Sequence, residues 1–396
     1  MKSQFRGFLF QAKHLAGLLA AAATVAVFLY MGVGAVAQSK STLSALPPTP
    51  QAPKDNPTTP AKVALGRLLF WDPLLSGPQD VACASCHHPQ NGYAEDRDLS
   101  LGVTGIGLGK SRHQAPGSTI PIVKRNSPTV LNIAFSGSDQ SGSYDPATAP
   151  MFWDMRVKSL EKQALEPLKA HEEMRGTTYK EDEAVASVVA KLQANAEYRS
   201  LFAGAFGSEQ PVNAENLGRA IAAFERTLLA NNSPFDRYMR GDRSAMTEEQ
   251  VSGMRRFESV GCVKCHNGPM FSDYKLHVMG VPDNPALPAS DDGAEKTYAF
   301  RTASLRNLTF TAPYEHNGMF RTLSDVVGFY EDARGGRSRN PNVSSEKLDP
   351  LIRELGDFDE EDVDLVEFLR ALSDDSFDRT IPERVPSGLP VGGKIQ

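Results

Sequence analysis

The feature that most constrains this chain is a pentapeptide that occurs twice. Cys83 and Cys86 stand in "CASCH", Cys262 and Cys265 in "CVKCH", and these are all four cysteines of the sequence. Each pair is followed at once by a histidine, His87 and His266. Two thiols three residues apart on a short helical turn reach the two vinyl groups of one porphyrin. The next residue then presents its imidazole to the iron from the same side, and C-x-x-C-H is the attachment signal of c-type haem. A zinc site using all four thiols would not require a histidine after both pairs. A thioredoxin-type motif normally occurs once, in a βαβ context. Disulfides suit an exported chain but leave the histidines unexplained. The sequence therefore predicts two covalently bound c-type haems, with His87 and His266 on the irons.

The segments around the motifs read as helices. "KVALGRLLF" places Leu65, Leu68 and Leu69 on one face, and "NAENLGRAIAAFERTLL" stripes Leu217, Ile221, Phe224 and Leu228. Thr247 and Gln250 have capping-box spacing before Val251, Met254 and Phe257. "DFDEEDVDLVEFLRALS" opens acidic, as a helix N-terminus prefers, and aligns Val366, Leu369 and Leu372. Alternating strand patterns are scarce. The expected fold is mostly α, with two cytochrome-c-like haem domains in one chain.

The N-terminus has a positive stretch (Lys2, Arg6, Lys13), an apolar run from about Leu15 to Tyr30, and Ala35-Val36-Ala37 before Gln38. That is the layout of a secretory signal over residues 1–37, which puts the rest of the chain in the periplasm. The run is also long enough for an uncleaved anchor, the one membrane contact the sequence offers. Residues 38–60, rich in Pro and Thr, read as a linker that buries no core. The polar "RGDRSAMTEEQ" sets a boundary at 244, dividing an N-terminal haem domain (61–244) from a C-terminal one (245–396). A net charge of −6 gives no reason to expect a nucleic-acid partner.

Several motifs follow in order: "LGRLLFWDPLLS", "CASCHHPQNGYAED", "RNSPTVLN", "FWDMRVKSLEKQALEPL", "IAAFERTLL", "GCVKCHNGPMFSD", "LRNLTFTAPYEHNG" and "GFYEDARGG". From about Ala61 to Asp374 the chain resembles the bacterial di-haem cytochrome c peroxidases and their relatives, the methylamine-utilisation (MauG-type) enzymes. The resemblance implies that His87 holds the peroxidatic iron and His266 the electron-transfer iron. Cleaving a peroxide O–O bond requires a carboxyl to move the proton. The family's catalytic glutamate lies twenty residues after the Trp of its W-D-G-R motif, which is Glu173 here, with Glu172 as its neighbour and competitor. The family's distal glutamine lies ten after that Trp, at Gln163. Trp153 itself is implied to relay electrons between the haems, and Phe152 to line the distal pocket. Without the resemblance, Glu173 reads as a helix-start charge, Gln163 as surface polarity and Trp153 as core. The chain departs from W-D-G-R by carrying Met155 in place of Gly. Some of these peroxidases block the first iron with a loop histidine. The one histidine of the matching stretch, His113, lies too close to Asn126 for that, so no reductive gating is expected.

The resemblance also implies a calcium ion held by the Asn126 side chain and the carbonyls of Thr311 and Pro313, hard oxygen ligands of the kind calcium takes. The plain reading of Asn126 is a turn cap before Pro128. The branch of the family turns on the second iron. Its sixth ligand lies fourteen residues after the His of "H-x-G", here His316, and that position is Tyr330. Ordinary peroxidases carry methionine there and MauG-type enzymes tyrosine. Thioether sulfur favours ferrous iron and raises the potential, whereas a phenolate favours the oxidised states. Read locally, Tyr330 is a helix-end aromatic, and Met319, Met279, Met270 and His277 are rival ligands. The leading expectation is a peroxide-dependent di-haem oxidoreductase, MauG-like. It would reduce hydrogen peroxide at the first haem and draw electrons through the second from a small periplasmic donor protein or a protein substrate. The alternatives are a conventional peroxide-scavenging cytochrome c peroxidase and a non-catalytic di-haem carrier. Homodimers are frequent in the family, but no feature of the sequence decides for one.

Overall fold

Seven of the eleven described helices begin where the sequence supplies a side-chain cap. In the computed structural model, which describes residues 42–207 and 209–395, the helices in chain order are α1 (Pro60–Trp71), α2 (Cys83–Cys86), α3 (Leu160–Gln163), α4 (Glu166–Lys169), α5 (Ala184–Ala194), α6 (Ala196–Phe206), α7 (Ala214–Glu225), α8 (Pro234–Met239), α9 (Glu248–Ser259), α10 (Leu323–Arg334) and α11 (Val363–Ala371). Thr59 caps α1 with Pro60 in its first turn, and Thr247 and Gln250 form the expected capping box of α9. Thr322 and Asp325 cap α10, which stops at Gly335. Strand structure among the described residues is confined to three two-residue antiparallel ribbons: β1–β2 (Gly105–Ile106, His113–Gln114), β3–β4 (Pro150–Met151, Val157–Lys158) and β5–β6 (Leu276–His277, Phe300–Arg301). The fold is mostly α. The signal segment 1–37 lies outside the described residues. No helix among them is long and apolar enough to cross a membrane.

Two cores are built to one plan, each around a glycine that lets two helices touch. A Cβ at Gly66 of α1 would lie 2.0 Å from the Ala220 carbonyl oxygen of α7, and one at Gly253 of α9 would lie 1.8 Å from that of Asp364 in α11. Any side chain at either position would force the pair apart. The first core packs Leu65, Leu69, Leu192, Phe202, Leu217 and Ile221 with Cys83 at its edge. The second packs Phe235, Phe257, Phe271, Leu365, Phe368 and Leu372 with Cys262 at its edge.

The ends of the described chain cross over. Leu43 joins the second core and Leu46 packs with Phe135 and Met270, while the Leu46 N–H donates to Asp236 Oδ1 at 2.9 Å. Residues 42–56 are therefore a packed strap where a linker without buried residues was expected, because its few apolar side chains land in pockets made by distant segments. At the other end Phe377, Val385, Val391 and Ile395 return to the first core, against Trp71 and Tyr93. Residues 377–395 thus pack with the first haem motif and not within the 245–396 division. The Ser85 hydroxyl, between the two cysteines of "CASC", donates to the Gly392 carbonyl at 2.8 Å.

Candidate active site

Both C-x-x-C-H motifs form a short helical turn, α2 for the first and Cys262–Lys264 for the second. All four thiols are free and the two pairs sit in different cores, which removes the disulfide reading and a shared four-thiol zinc site. Burial pushes the Cys83, Cys86 and Cys262 thiols up, so they are uncharged. His87 Nδ1–H donates to the Tyr93 carbonyl at 3.2 Å, and His266 Nδ1–H to the Phe271 carbonyl at 2.9 Å. Tyr93 and Phe271 both take a left-handed backbone, φ 56° and 53°, to turn those carbonyls inward. The bond fixes the tautomer and makes Nε2 the metal-facing nitrogen. Burial holds both imidazoles toward the neutral, ligating form. A pair of free thiols beside an oriented imidazole is what a covalently attached haem requires, and both places have it.

Glu173 lies in a π-helical turn, His171–Arg175. Its carboxyl is pushed up to about 7 by burial, against the pull of Arg156 and with the help of Glu172 and Glu166. This turn is tied to the first haem motif through residues the sequence reading missed. Gly102 (φ 48°) lies so close that a Cβ would be 1.9 Å from the Glu172 carbonyl oxygen and 2.8 Å from the Glu173 Cα. The Gly102 carbonyl accepts from Arg112 Nη2 at 2.8 Å. Arg112 Nη1 meanwhile reaches the Ser85 carbonyl at 2.9 Å, Cys86 Sγ at 3.1 Å and Glu95 at 2.6 Å. The Arg112–Glu95 pair is 1% exposed on both sides, and Arg112 is the bracket between the cysteines and the glutamate turn. Nothing local in "GKSRHQ" signals it, because its four partners come from three separate segments.

Gln163 ends α3, half-buried, and its amide makes no hydrogen bond to protein among the described residues. Phe152 takes a left-handed backbone and carries the Arg156 guanidinium 3.8 Å above its ring. Met155 also has positive φ, 54°, the conformation that explains glycine in the related motif. His113 is exposed on β2, its Nδ1 3.2 Å from the Ser111 carbonyl.

The second motif opens on a large apolar cavity. Cys262, Cys265, His266, Tyr330, Trp153, Asn126, Thr311 and Pro313, from both halves of the chain, all line it. Tyr330, on α10, faces His266 with ring centroids 6.5 Å apart. Burial, then the neighbouring Glu315, hold the Tyr330 phenol well above its ordinary range, so its oxygen becomes an anionic ligand only where a metal replaces the proton. Glu315 was not anticipated; burial pushes its carboxyl up to about 7. Among the rival ligands, both nitrogens of His277 are engaged, by Asp349 at 2.6 Å and Asp273 at 3.0 Å. Met270, buried against Leu46 and Phe135, and Met279, packed on the same cluster as Tyr330, both line the cavity, whereas Met319 does not.

Trp153 is held from several sides. Its Nε1–H donates to the Asn126 carbonyl at 3.0 Å, its carbonyl accepts from the Arg301 N–H at 2.7 Å, and its ring meets His316 edge-on at 6.5 Å. Arg125 forks between Asp154 (2.6 Å) and Asp291 (2.5 Å) and pins the same segment to the far loop. His316 stacks on Phe300 at 3.6 Å. The Asn126 amide nitrogen donates to the Arg97 carbonyl at 2.8 Å, while its amide oxygen and the carbonyls of Thr311 and Pro313 accept no hydrogen bond from protein among the described residues. Three uncommitted oxygens in one cavity wall suit a hard cation.

A family model described as di-haem cytochrome c peroxidase matches residues 60–244. The chain is 35% identical to a cytochrome-c peroxidase, IdrP1, of Pseudomonas sp., over 84% of this chain and 85% of that one. It is also 35% identical to the methylamine utilization protein MauG of Methylorubrum extorquens, over 84% and 83%. Among solved structures it is similar to a MauG-like protein associated with microbial copper homeostasis, with TM-score 0.66, 27% identity, and 84% and 95% of the two chains covered. Equal identity to relatives of both kinds means that overall similarity does not separate the branches.

Proposed function

The chain belongs to the di-haem cytochrome c peroxidase family, and on that premise we propose that this peroxidase-type oxidoreductase is of the MauG-like kind, exported to the periplasm. The observation that carries the reading is Tyr330 facing His266 across the second cavity, where a thioether would mark the scavenging branch. Cys83, Cys86 and His87 would hold the first haem, and Cys262, Cys265, His266 and Tyr330 the second. When bound, the haems supply an open iron for peroxide and a second iron for the electron exchange with a protein.

This chain's residues do the rest. Glu173 takes the proton from one peroxide oxygen and returns it to the other, a task suited to a carboxyl near neutrality. Gln163 would offer its uncommitted amide to the peroxide. Arg156 on Phe152 supplies the positive charge nearby. Trp153 couples the two halves, and Asn126, Thr311 and Pro313 would hold a calcium ion through their oxygens. As a ligand Tyr330 would favour the oxidised second iron, which suits withdrawal of electrons from a protein substrate or small donor protein better than storage of a reducing electron.

Spectra of the purified ferric protein test the reading. One high-spin five-coordinate haem and one low-spin haem lacking the methionine–iron charge-transfer band are expected. A methionine–iron band would move the chain to the scavenging branch. Two low-spin haems inert to peroxide would leave only electron carriage.

A further inference from the structure

Three cationic side chains besides the histidines line the second cavity, and two have their anion. Lys264 pairs with Glu354 at 2.7 Å and Arg306 with Asp236 at 2.9 Å. Arg301 has none. Its guanidinium makes no hydrogen bond or ion pair to protein among the described residues, and its Nε is shut off without a partner. The nearest group on it is the Tyr274 ring, 5.4 Å away, and burial lowers its basicity. A half-buried guanidinium whose Nε is shut off from water is costly to leave unpaired, and a supplied anion removes that cost. It is not left loose: the Arg301 N–H is bonded to the Trp153 carbonyl, and β5–β6 holds the strand on Leu276.

We propose that Arg301 binds a propionate carboxylate of the second haem and so ties the carboxylate edge of that haem to the backbone of Trp153. The carboxylates of a haem tethered at Cys262 and Cys265 are the anions brought into this cavity, and Arg301 is the cation that lacks one. Arg301 is a positioning residue: it orients the group and, as a fixed positive charge beside it, favours the reduced iron. The inference rests on two bound haems but neither on Tyr330 nor on peroxide chemistry.

The test is an anaerobic redox titration of the two-haem protein, followed in its absorption bands, with no peroxide present. Arg301→Leu should shift the reduction equilibrium of the second haem about tenfold toward the oxidised form, a fall of about 59 mV. The first haem should be unmoved. Arg301→Lys, which retains the charge, should recover most of the shift. An unchanged second potential in an Arg301→Leu protein that carries both haems by mass would overturn the proposal. If that variant does not fold, Arg301→Gln and Arg301→Lys give the same comparison, and equal potentials for the two would overturn it. A normal titration shift in a protein inert to peroxide would instead count against the proposed function alone.

Discussion

Replacing Glu173 by Gln removes the one carboxyl that the fold keeps both half-buried and near neutrality in the turn bracketed to the first haem motif. The magnitude follows from its environment. Burial moves the group from 4.5 to about 7, roughly 2.5 units, which makes it a stronger base by about 300-fold. The opposing effect is small: at pH 7 about half the sites carry a proton already and cannot accept one, a factor of about 2. Basicity therefore wins by about two orders of magnitude. Peroxide arrives neutral with both its protons, so the first move is uptake by the carboxylate. The rate of the peroxide reaction should then fall as pH drops through 7 and level off above it. Stopped-flow absorbance of the ferric protein mixed with peroxide measures both features. Glu173→Gln should slow the reaction by about 10²–10⁴ and flatten the profile. Arg156, the group that lowers the Glu173 value, gives the control: Arg156→Gln should move the inflection above that of the parent. An unchanged rate in Glu173→Gln, or a parent profile flat from about pH 5.5 to 8.5, would refute the assignment.

Tyr330→Met should raise the second-haem potential and bring in a methionine–iron charge-transfer band; identical spectra before and after would place the ligand elsewhere, at Met279 first. Gly102→Ala puts a methyl 1.9 Å from the Glu172 carbonyl oxygen at a left-handed φ, so the glutamate turn must shift. A displacement of that order should slow the peroxide reaction by about 10²-fold with both haems still attached, and a parent-like rate would show that the turn tolerates movement. Glu225 is buried in α7 with its carboxyl pushed up to about 8. The folded state holds that proton after the unfolded state has released it, so stability is lost as pH rises from about 4.5 to 8. In denaturant titrations the advantage of Glu225→Gln over the parent should grow across that window, by at most about 1.4 kcal/mol per pH unit. A constant difference would mean that Glu225 ionises normally.

The parts legible in the sequence are those whose geometry is set over short distances along the chain. Covalent haem attachment demands its spacing, helix faces repeat, and Thr247 and Gln250 cap α9 as their separation requires. Family membership was legible because many short motifs stand in order. Arg112, Gly102 and Arg301 were not, because their partners come from far segments: Arg112 reaches back to Ser85, Cys86 and Glu95, and Arg301 to Trp153. No periodicity marks such contacts. The strap was misjudged for a related reason. Composition counts how much a segment can bury by itself, and Leu43 and Leu46 bury themselves in pockets that residues near 235, 270 and 370 build.

The two haem motifs share their proximal architecture down to a left-handed aromatic residue that aims its carbonyl at the histidine. Whatever distinguishes the two sites must therefore come from the opposite side of each haem. On one side stands the Glu173 carboxyl, in a turn held by Gly102 and Arg112; on the other, Tyr330 with a second raised carboxyl, Glu315, close enough to act on it. Such a division of labour is useful only if the separation between the sites does not drift, since electron exchange weakens steeply with distance. The fold meets that need by exchange of ends. Leu43 is anchored in the second core and Leu46 against Phe135 and Met270 before the first motif begins, and Phe377, Val385 and Ile395 return to the first core after the second motif is complete. Separating the halves would expose these side chains, at about 1.5–3 kcal/mol for each large one. It would also break the Asp291 arm of the Arg125 fork and the bond from the Arg301 N–H to the Trp153 carbonyl. The crossing of the termini and the clamping of Trp153 thus oppose the same motion, the one that would draw the indole, and any electron exchange proposed through it, out of line.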